Sequence, residues 1–183
     1  GLSPKREVRA VWLTTIGGLD WPHSYAQSPT SITKQKKELQ IILDQLKSAG
    51  INTVLFQTRI RGTVVYPSDY EPWDGCLSGV PNKSPGYDAL EFAIEECHKR
   101  GMEIQAWIVT IPIGKWDQAG CKNLRNRYPS LVKKIGEEGF MDMENPQTAQ
   151  YLADICGEIT NKYDIDGIHL DYIRYPETWN IKV

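Results

Sequence analysis

The sequence predicts a parallel α/β sheet of the barrel type, and three observations carry that prediction. Strand-like and helix-like segments alternate along the chain, a Gly or a short Asp-containing turn separates each helix from the next strand, and the loops after the strands are far longer than those after the helices. Residues 8–15, VRAVWLTT, read as the first strand. Residues 31–49 read as the first helix, with Leu39, Ile42, Leu43, Leu46 and Ala49 on one face and Gly50 as its stop. NTVLFQTR at 52–59 is a short β-branched run and forms the second strand. A second helix follows at about 89–100, with Asp88 as N-cap, Glu91 completing a capping box and Gly101 closing it. EIQAWIV at 103–109 is the third strand. Asn145 caps a third helix with Pro146 in its first turn, running to about Lys162 on Ala149, Leu152, Cys156 and Ile159. GIHLDYIRY at 167–175 supplies the fourth strand.

The composition is that of an ordinary globular domain. The chain has 183 residues, 40% of them hydrophobic and 24% charged, with a net charge of −2. A chain of this length buries roughly 70% of its unfolded surface, so disorder and coiled-coil readings fail. No run approaches the ~20 apolar residues of a membrane-spanning helix. Charge balance without a dense Lys/Arg tract excludes a nucleic-acid groove. No Gly-rich phosphate loop follows the first strand, which argues against nucleotide binding, and no Gly-x-Ser-x-Gly elbow supports acyl transfer. No cofactor and no metal are expected: His169 and Asp171 are a possible ligand pair, but a hydrolytic zinc site needs more ligands than three histidines and their neighbours offer. Cys76, Cys97, Cys121 and Cys156 form no CxxC motif; Cys97 and Cys156 read as small buried hydrophobes, while Cys76 and Cys121 lie in long loops that would let them pair if the loops share a face.

The loops 16–30, 60–87 and 111–144 follow the strands' C-terminal ends, the end at which α/β folds build their sites. Alternation puts Gly167, His169 and Asp171 on one face of the fourth strand, pointing into the sheet's interior, and Ile168, Leu170 and Tyr172 on the face a helix layer would cover. An inward Asp at a strand's C-terminal end either binds a neighbouring Arg or backbone amides, or does chemistry. Position and loop asymmetry favour chemistry. On the same reasoning Gln57 and Arg59 share one face of the second strand, with Arg59 placed to keep an inward carboxylate ionised or to hold a substrate hydroxyl. Gln105 and Trp107 share a face of the third strand, Trp107 as core or as a ligand contact. Aromatics stand beside carboxylates in three loop clusters, around Trp21, from Tyr66 to Asp74 including Trp73, and at Trp116-Asp117. A flat ring covers the C–H side of a sugar while carboxylates accept from its hydroxyls, so together these clusters suggest a carbohydrate cleft.

The segments REVRAVWLTT with LDWP, LKSAGINTVLFQTRIRG with VVYPSDYEPW, YDALEFAIEECHKRGMEIQAWI and YDIDGIHLDYIRYP cover most of the chain. In combination they resemble the glycosyl-hydrolase-like family 10 proteins, a (β/α)8-barrel family related in pattern to the alpha-amylase-like barrels. The resemblance implies the N-terminal half of a TIM-type barrel, about four parallel strands with three helices, ending after the fourth strand. It implies hydrolysis of glycosidic bonds in bacterial, exported proteins, with peptidoglycan or another polysaccharide as substrate. It implies Asp171 as nucleophile or electrostatic stabiliser, with Arg59 and His169 matching positions beside it; the strand faces and loop clusters add Gln57, Trp107, Trp21, Trp73, Tyr66 and Asp142 as expected substrate contacts. The general acid would come from a fifth strand beyond Val183, since nothing in the spacing of Asp69, Glu71, Asp74 or Asp142 marks an acid. By itself the half barrel is expected to be inactive; a glycan-binding module that never cuts and an inactive fragment are the competing readings. The absence of an apolar leader and the initial Gly1 fit a removed presequence. Two unpaired sheet edges would favour completion by further chain or edge-to-edge pairing of two copies.

Overall fold

The computed structural model describes residues 7–172. Its centre is a four-stranded, all-parallel sheet in the order β1-β2-β3-β7, where β1 is Ala10–Leu13, β2 Thr53–Arg59, β3 Glu103–Val109 and β7 Gly167–Asp171. The alternating pattern therefore gives the expected parallel sheet. The expected continuation of the last strand over 173–175 lies outside the described residues, as does Gly1.

Three helices cover one face. α1 spans Pro29–Ser48, two residues earlier than the apolar rhythm suggests, because Ser28 and Ser31 form a reciprocal capping box around Pro29. The short helix α2, Gly75–Ser78, lies in the loop after β2. α3 spans Ala89–Lys99 with the Asp88 carboxylate accepting from the Glu91 amide at 3.1 Å. Leu39 and Leu43 of α1, with Leu90, Ala93 and Ile94 of α3, bury against Val54, Phe56, Ile104, Ala106 and Ile108 of the sheet. Each such side chain contributes about 1.5–3 kcal/mol by leaving water. His98 is 2.8 Å from the Asp166 carboxylate, which also accepts from the Ile104 amide; it fastens the end of α3 to the turn before β7.

The loop 111–144 contains structure that its sequence does not announce. β4 (Pro112–Lys115), β5 (Val132–Ile135) and β6 (Glu138–Met141) form a small antiparallel sheet ordered β4-β6-β5, with α4 (Ala119–Arg127) beside it. α4 approaches so closely that a Cβ on Gly120 would lie 2.2 Å from the Arg61 carbonyl oxygen, which only glycine permits. α5, Pro146–Lys162, starts where expected, with Asn145 Oδ1 accepting from the Gln147 amide at 2.9 Å. Cys76 and Cys121 do not pair: both thiols are free and buried.

The helix layer covers the last strand only in part: Ile168 packs against the core. Leu170 and Tyr172, expected to be covered, are 36% and 57% exposed and border an apolar groove with Leu152 and Cys156 of α5. β7 is the edge of the described sheet, so the layer that would cover its outer side falls beyond the elements present. No helix among the described residues is long and apolar enough to cross a membrane.

One buried ion pair joins the C-terminal ends of the strands. The register slips between Gln57 and Arg59, so that two residues of β2 oppose one of β3: Gln57 pairs with Trp107, but Arg59 pairs with Ile108. This bulge turns Arg59 onto the helix-covered face. There its Nε and Nη2 donate to both oxygens of Glu71 at 2.7 and 2.6 Å, and its Nη1 donates to the Val109 and Thr110 carbonyls at 2.9 and 2.8 Å. Tyr151 of α5 donates to Glu71 Oε2 at 2.8 Å. Both members are fully buried. Burial alone would lower the guanidinium pKa, but the Glu71 charge and hydrogen bonds outweigh it and hold it above its ordinary value.

Arg59→Met leaves the Glu71 carboxylate buried without its counterion. Such a break costs about 3–5 kcal/mol, and chemical denaturation should show that loss. The double variant Arg59→Met/Glu71→Leu should recover much of it, since an apolar replacement of a whole buried pair is far less costly. An unchanged midpoint for the single variant would contradict the pair's role.

Candidate active site

In-register parallel pairing places partner residues on the same face of the sheet. Leu13, Phe56, Ala106 and Ile168 form one level and face the helices. The adjacent levels face the other way: Trp12 aligns with Leu55, Gln105 and Gly167, then Gln57 with Trp107 and His169, then Val109 with Asp171. This inner face carries Trp12, Gln57, Gln105, Trp107, His169 and Asp171.

Three of the expected site residues meet there. The Trp107 indole N–H donates to Asp171 Oδ2 at 3.0 Å, fixing the carboxylate at the C-terminal end of β7. Asp171 Oδ1 takes no hydrogen bond from the described residues. The backbone of Asp171 is held as well, since the amide and hydroxyl of Thr110 both donate to its carbonyl, at 3.1 and 2.9 Å. His169 stands one level below, its ring edge-on to Trp12 with centroids 4.8 Å apart. Trp12 also meets Trp107 edge-on at 4.8 Å and is 47% exposed. Trp12 was not singled out from the sequence. Its signal was the same period-two face that exposed Asp171, read across to the first strand.

Chemically, the arrangement is a half-buried carboxylate with one oxygen oriented by an N–H donor and the other open toward a face lined by aromatic edges. Such a group suits attack on, or electrostatic stabilisation of, an electron-poor carbon held above it.

The remaining predicted residues are elsewhere. Arg59 does not face Asp171; the bulge and Glu71 commit it to the interior, and its link to Asp171 runs through the backbone at Thr110. Gln57 is on the inner face but only 4% exposed, because its Oε1 accepts from the amides of Thr15 and Ile16, both at 2.9 Å. Trp21 is core: its indole N–H donates to the Gln35 carbonyl at 2.9 Å and its ring packs near Phe56. Tyr66 is fully buried and donates to Glu158 at 2.8 Å; burial and then the Glu158 charge push its hydroxyl well above the ordinary tyrosine range, so it remains a neutral donor. Ser68 and the Asp69 amide complete that Glu158 site, tying the loop after β2 to α5. Trp73 is half-buried against the core. Asp142 accepts from the Glu144 amide at 3.0 Å and shapes the turn before α5. Thus aromatics and acids that suggested a cleft from sequence anchor loops instead.

With that geometry in hand, the comparisons with known proteins are direct. The model of the family described as Glycosyl hydrolase-like 10 matches residues 7–181. Glycosyl hydrolase YngK of Bacillus subtilis (strain 168) is 33% identical over 175 residues, covering 93% of this chain and 34% of the relative. Glycosyl hydrolase DigH of Escherichia coli (strain K12) is 30% identical over 187 residues, covering 93% of this chain and 43% of the relative. The chain therefore spans between about a third and just over two fifths of these curated relatives. Among solved structures, the maltogenic alpha-amylase AmyB from Thermotoga neapolitana superposes with a TM-score of 0.59 at 16% identity, over 92% of this chain and 40% of that one. The exo-β-N-acetylglucosaminidase from Vibrio harveyi gives 0.59 at 14% identity, over 97% and 29%. These likenesses establish the fold, part of a glycoside-hydrolase-type barrel.

The edge-on contact of Trp12 and Trp107 has an optical consequence. Two indoles this close couple excitonically, so Trp12→Phe and Trp107→Phe should each remove the same couplet from the circular dichroism spectrum. A couplet that survives either change would refute the contact.

Proposed function

The chain belongs to the glycosyl hydrolase-like 10 family, and from that premise we propose that it carries the nucleophile side of a glycosidase active site acting on a polysaccharide or glycan strand. The observation that supports this reading best is the Trp107–Asp171 hydrogen bond at the C-terminal end of β7. It holds one carboxylate oxygen, and the other takes no hydrogen bond from the described residues, on the face opposite the helices and at the end of the strands where barrel enzymes keep their catalytic groups.

Glycoside hydrolysis needs a second carboxyl group, about 5–5.5 Å away for retention or roughly 6.5–9.5 Å for inversion. Of the acids among the described residues, Asp69 is largely exposed beside Lys162 at 3.5 Å, and the buried or turn-forming ones are already engaged. Glu71 neutralises Arg59, Asp74 caps α2 and accepts from Thr63, Glu158 is filled by Tyr66, Ser68 and Asp69, and Asp142 caps a turn. In our reading the general acid comes from outside these residues, in line with the partial coverage of YngK and DigH. Peptidoglycan glycan in an exported protein is the substrate and setting we favour, on the family resemblance.

Asp171→Asn in the full-length protein preserves the shape of the site while removing the charge. Turnover of a glycan should fall by at least about 10²–10⁴-fold, the range positioned catalytic groups supply, with the fold intact by circular dichroism. Trp107→Phe should lower kcat by about 10–100-fold, the worth of a hydrogen bond to a charged group, with a smaller change in KM. Unchanged turnover in Asp171→Asn would sink the assignment. Binding without cleavage by the unaltered full-length protein would make the chain a glycan-binding module.

A further inference from the structure

A second cavity, of about 520 Å³, lies between the segment 17–25 that follows β1 and the segment 75–81 around α2. None of Asp171, Trp107 or His169 lines it. Its size falls within the ~300–1,000 Å³ of sites that hold small organic ligands.

Tyr25 forms one wall and is 58% exposed. A Cβ on Gly79 would sit 3.0 Å from Cγ and Cδ2 of the Tyr25 ring, and Gly79 has φ +84°. The ring therefore abuts a glycine backbone directly while most of the residue stays exposed. The platform is fastened on both sides. The buried Gln35 side chain donates to the Ser24 and Leu77 carbonyls at 2.7 and 2.9 Å, and the Ala26 amide donates to the Leu77 carbonyl at 2.8 Å. Gln27 donates to the Ser78 carbonyl at 3.0 Å. An exposed aromatic ring held this firmly, at a spot where its backing residue can have no side chain, is a prebuilt apolar surface.

Arg61 supplies the polar counterpart. Its Nε donates to Asp74 Oδ2 at 3.2 Å, while Nη1 and Nη2 make no hydrogen bond with the described residues and the side chain is 35% exposed. Asp74 is buried and also accepts from the Thr63 hydroxyl and the Cys76 amide, at 2.6 and 2.9 Å. The cavity thus presents free N–H donors whose positive charge is already answered. His23, also at its rim, has one ring nitrogen 2.7 Å from Glu38 and the other 3.1 Å from the Leu19 carbonyl, so its charge too is compensated when present. Both cations of the lining are thus offset by carboxylates, which weakens the cavity's pull on an anion.

We propose that this cavity is a carbohydrate subsite that takes one neutral pyranose unit of a glycan, its C–H face on Tyr25 and its hydroxyl or amide oxygens on the terminal nitrogens of Arg61. The inference rests on the glycan reading above and deepens it. Gly17 and Gly18 follow the C-terminal end of β1, so the subsite lies at the same end of the sheet as Asp171. A strand of sugar held there is presented along the loops rather than at the reacting carbon.

The test uses the full-length protein and thio-linked, uncleavable oligosaccharides of neutral sugars (N-acetylglucosamine and glucose hexamers), with oligogalacturonate as the anionic probe. Calorimetry should show binding of a neutral hexamer in preference to oligogalacturonate. Tyr25→Ala should weaken it about tenfold or more, and Tyr25→Phe should keep it within about twofold. Saturation transfer to the sugar should fall in parallel, and the unfolding midpoint should not move, since the ring is surface-exposed. Equal affinity in Tyr25→Ala, preference for the anionic probe, or no binding of any neutral hexamer would each overturn the proposal. The two readings separate cleanly. Loss of turnover in Asp171→Asn with unchanged binding in Tyr25→Ala rejects the subsite alone, and the reverse pattern rejects the nucleophile alone.

Discussion

The ends of the strands are ordered by one buried ion pair, Arg59 with Glu71. It joins the bulge that ends β2, the loop after it, the carbonyls at the end of β3 and, through Tyr151, helix α5. Desolvating two charges consumes most of what their attraction returns, so the net stability of such a pair is small compared with the cost of breaking it. What it contributes is position. Arg59 holds the Thr110 carbonyl, Thr110 holds the Asp171 carbonyl, and Trp107 orients the Asp171 side chain. The carboxylate at the end of β7 is therefore set by a relay that begins two strands away.

That relay explains which parts of the molecule its sequence discloses. Local signals did well where local physics decides. Asp88 and Asn145 cap their helices through their own side chains, and the apolar spacing of Leu39, Leu43, Leu90 and Ile94 can be satisfied only by a helix lying on a sheet. The Asp171 face was also legible, because strict alternation holds through β7. Alternation failed for Arg59, where a single extra residue in β2 reverses the face and nothing local marks it. The antiparallel sheet in 111–144 was invisible because strands of four residues are too short for a pattern. Trp21 and Tyr66 misled for another reason. An aromatic in a loop looks the same whether it greets a ligand or anchors its loop, and the deciding partners, the Gln35 carbonyl and Glu158, are 14 and 92 residues away.

The two faces of the sheet differ in kind. The outer face is a conventional apolar layer, closed over β2 and β3 and ending at β7, where Leu170 and Tyr172 stay partly exposed. The inner face carries Trp12, Trp107, His169 and Asp171, a set that would be poor core and is well suited to contact with a polar ligand bearing apolar faces. Trp12 shares that face with the Asp171 carboxylate.

The same accounting divides the proposed chemistry. A carboxylate that serves as general acid must be free to hold and give up a proton beside the scissile bond. Each buried acid here is fixed by its hydrogen bonds: Glu71 of the loop after β2 by a guanidinium, Glu158 of α5 by three donors, Asp74 by a hydroxyl and an amide. Converting any of them to a proton shuttle would dismantle the loop it secures. Asp171 differs in being held by backbone and indole while its second oxygen takes no hydrogen bond from the described residues, which suits a nucleophile or charge stabiliser rather than a proton donor. On that reading these residues hold the attacking side of the reaction and the rails that carry the glycan to it.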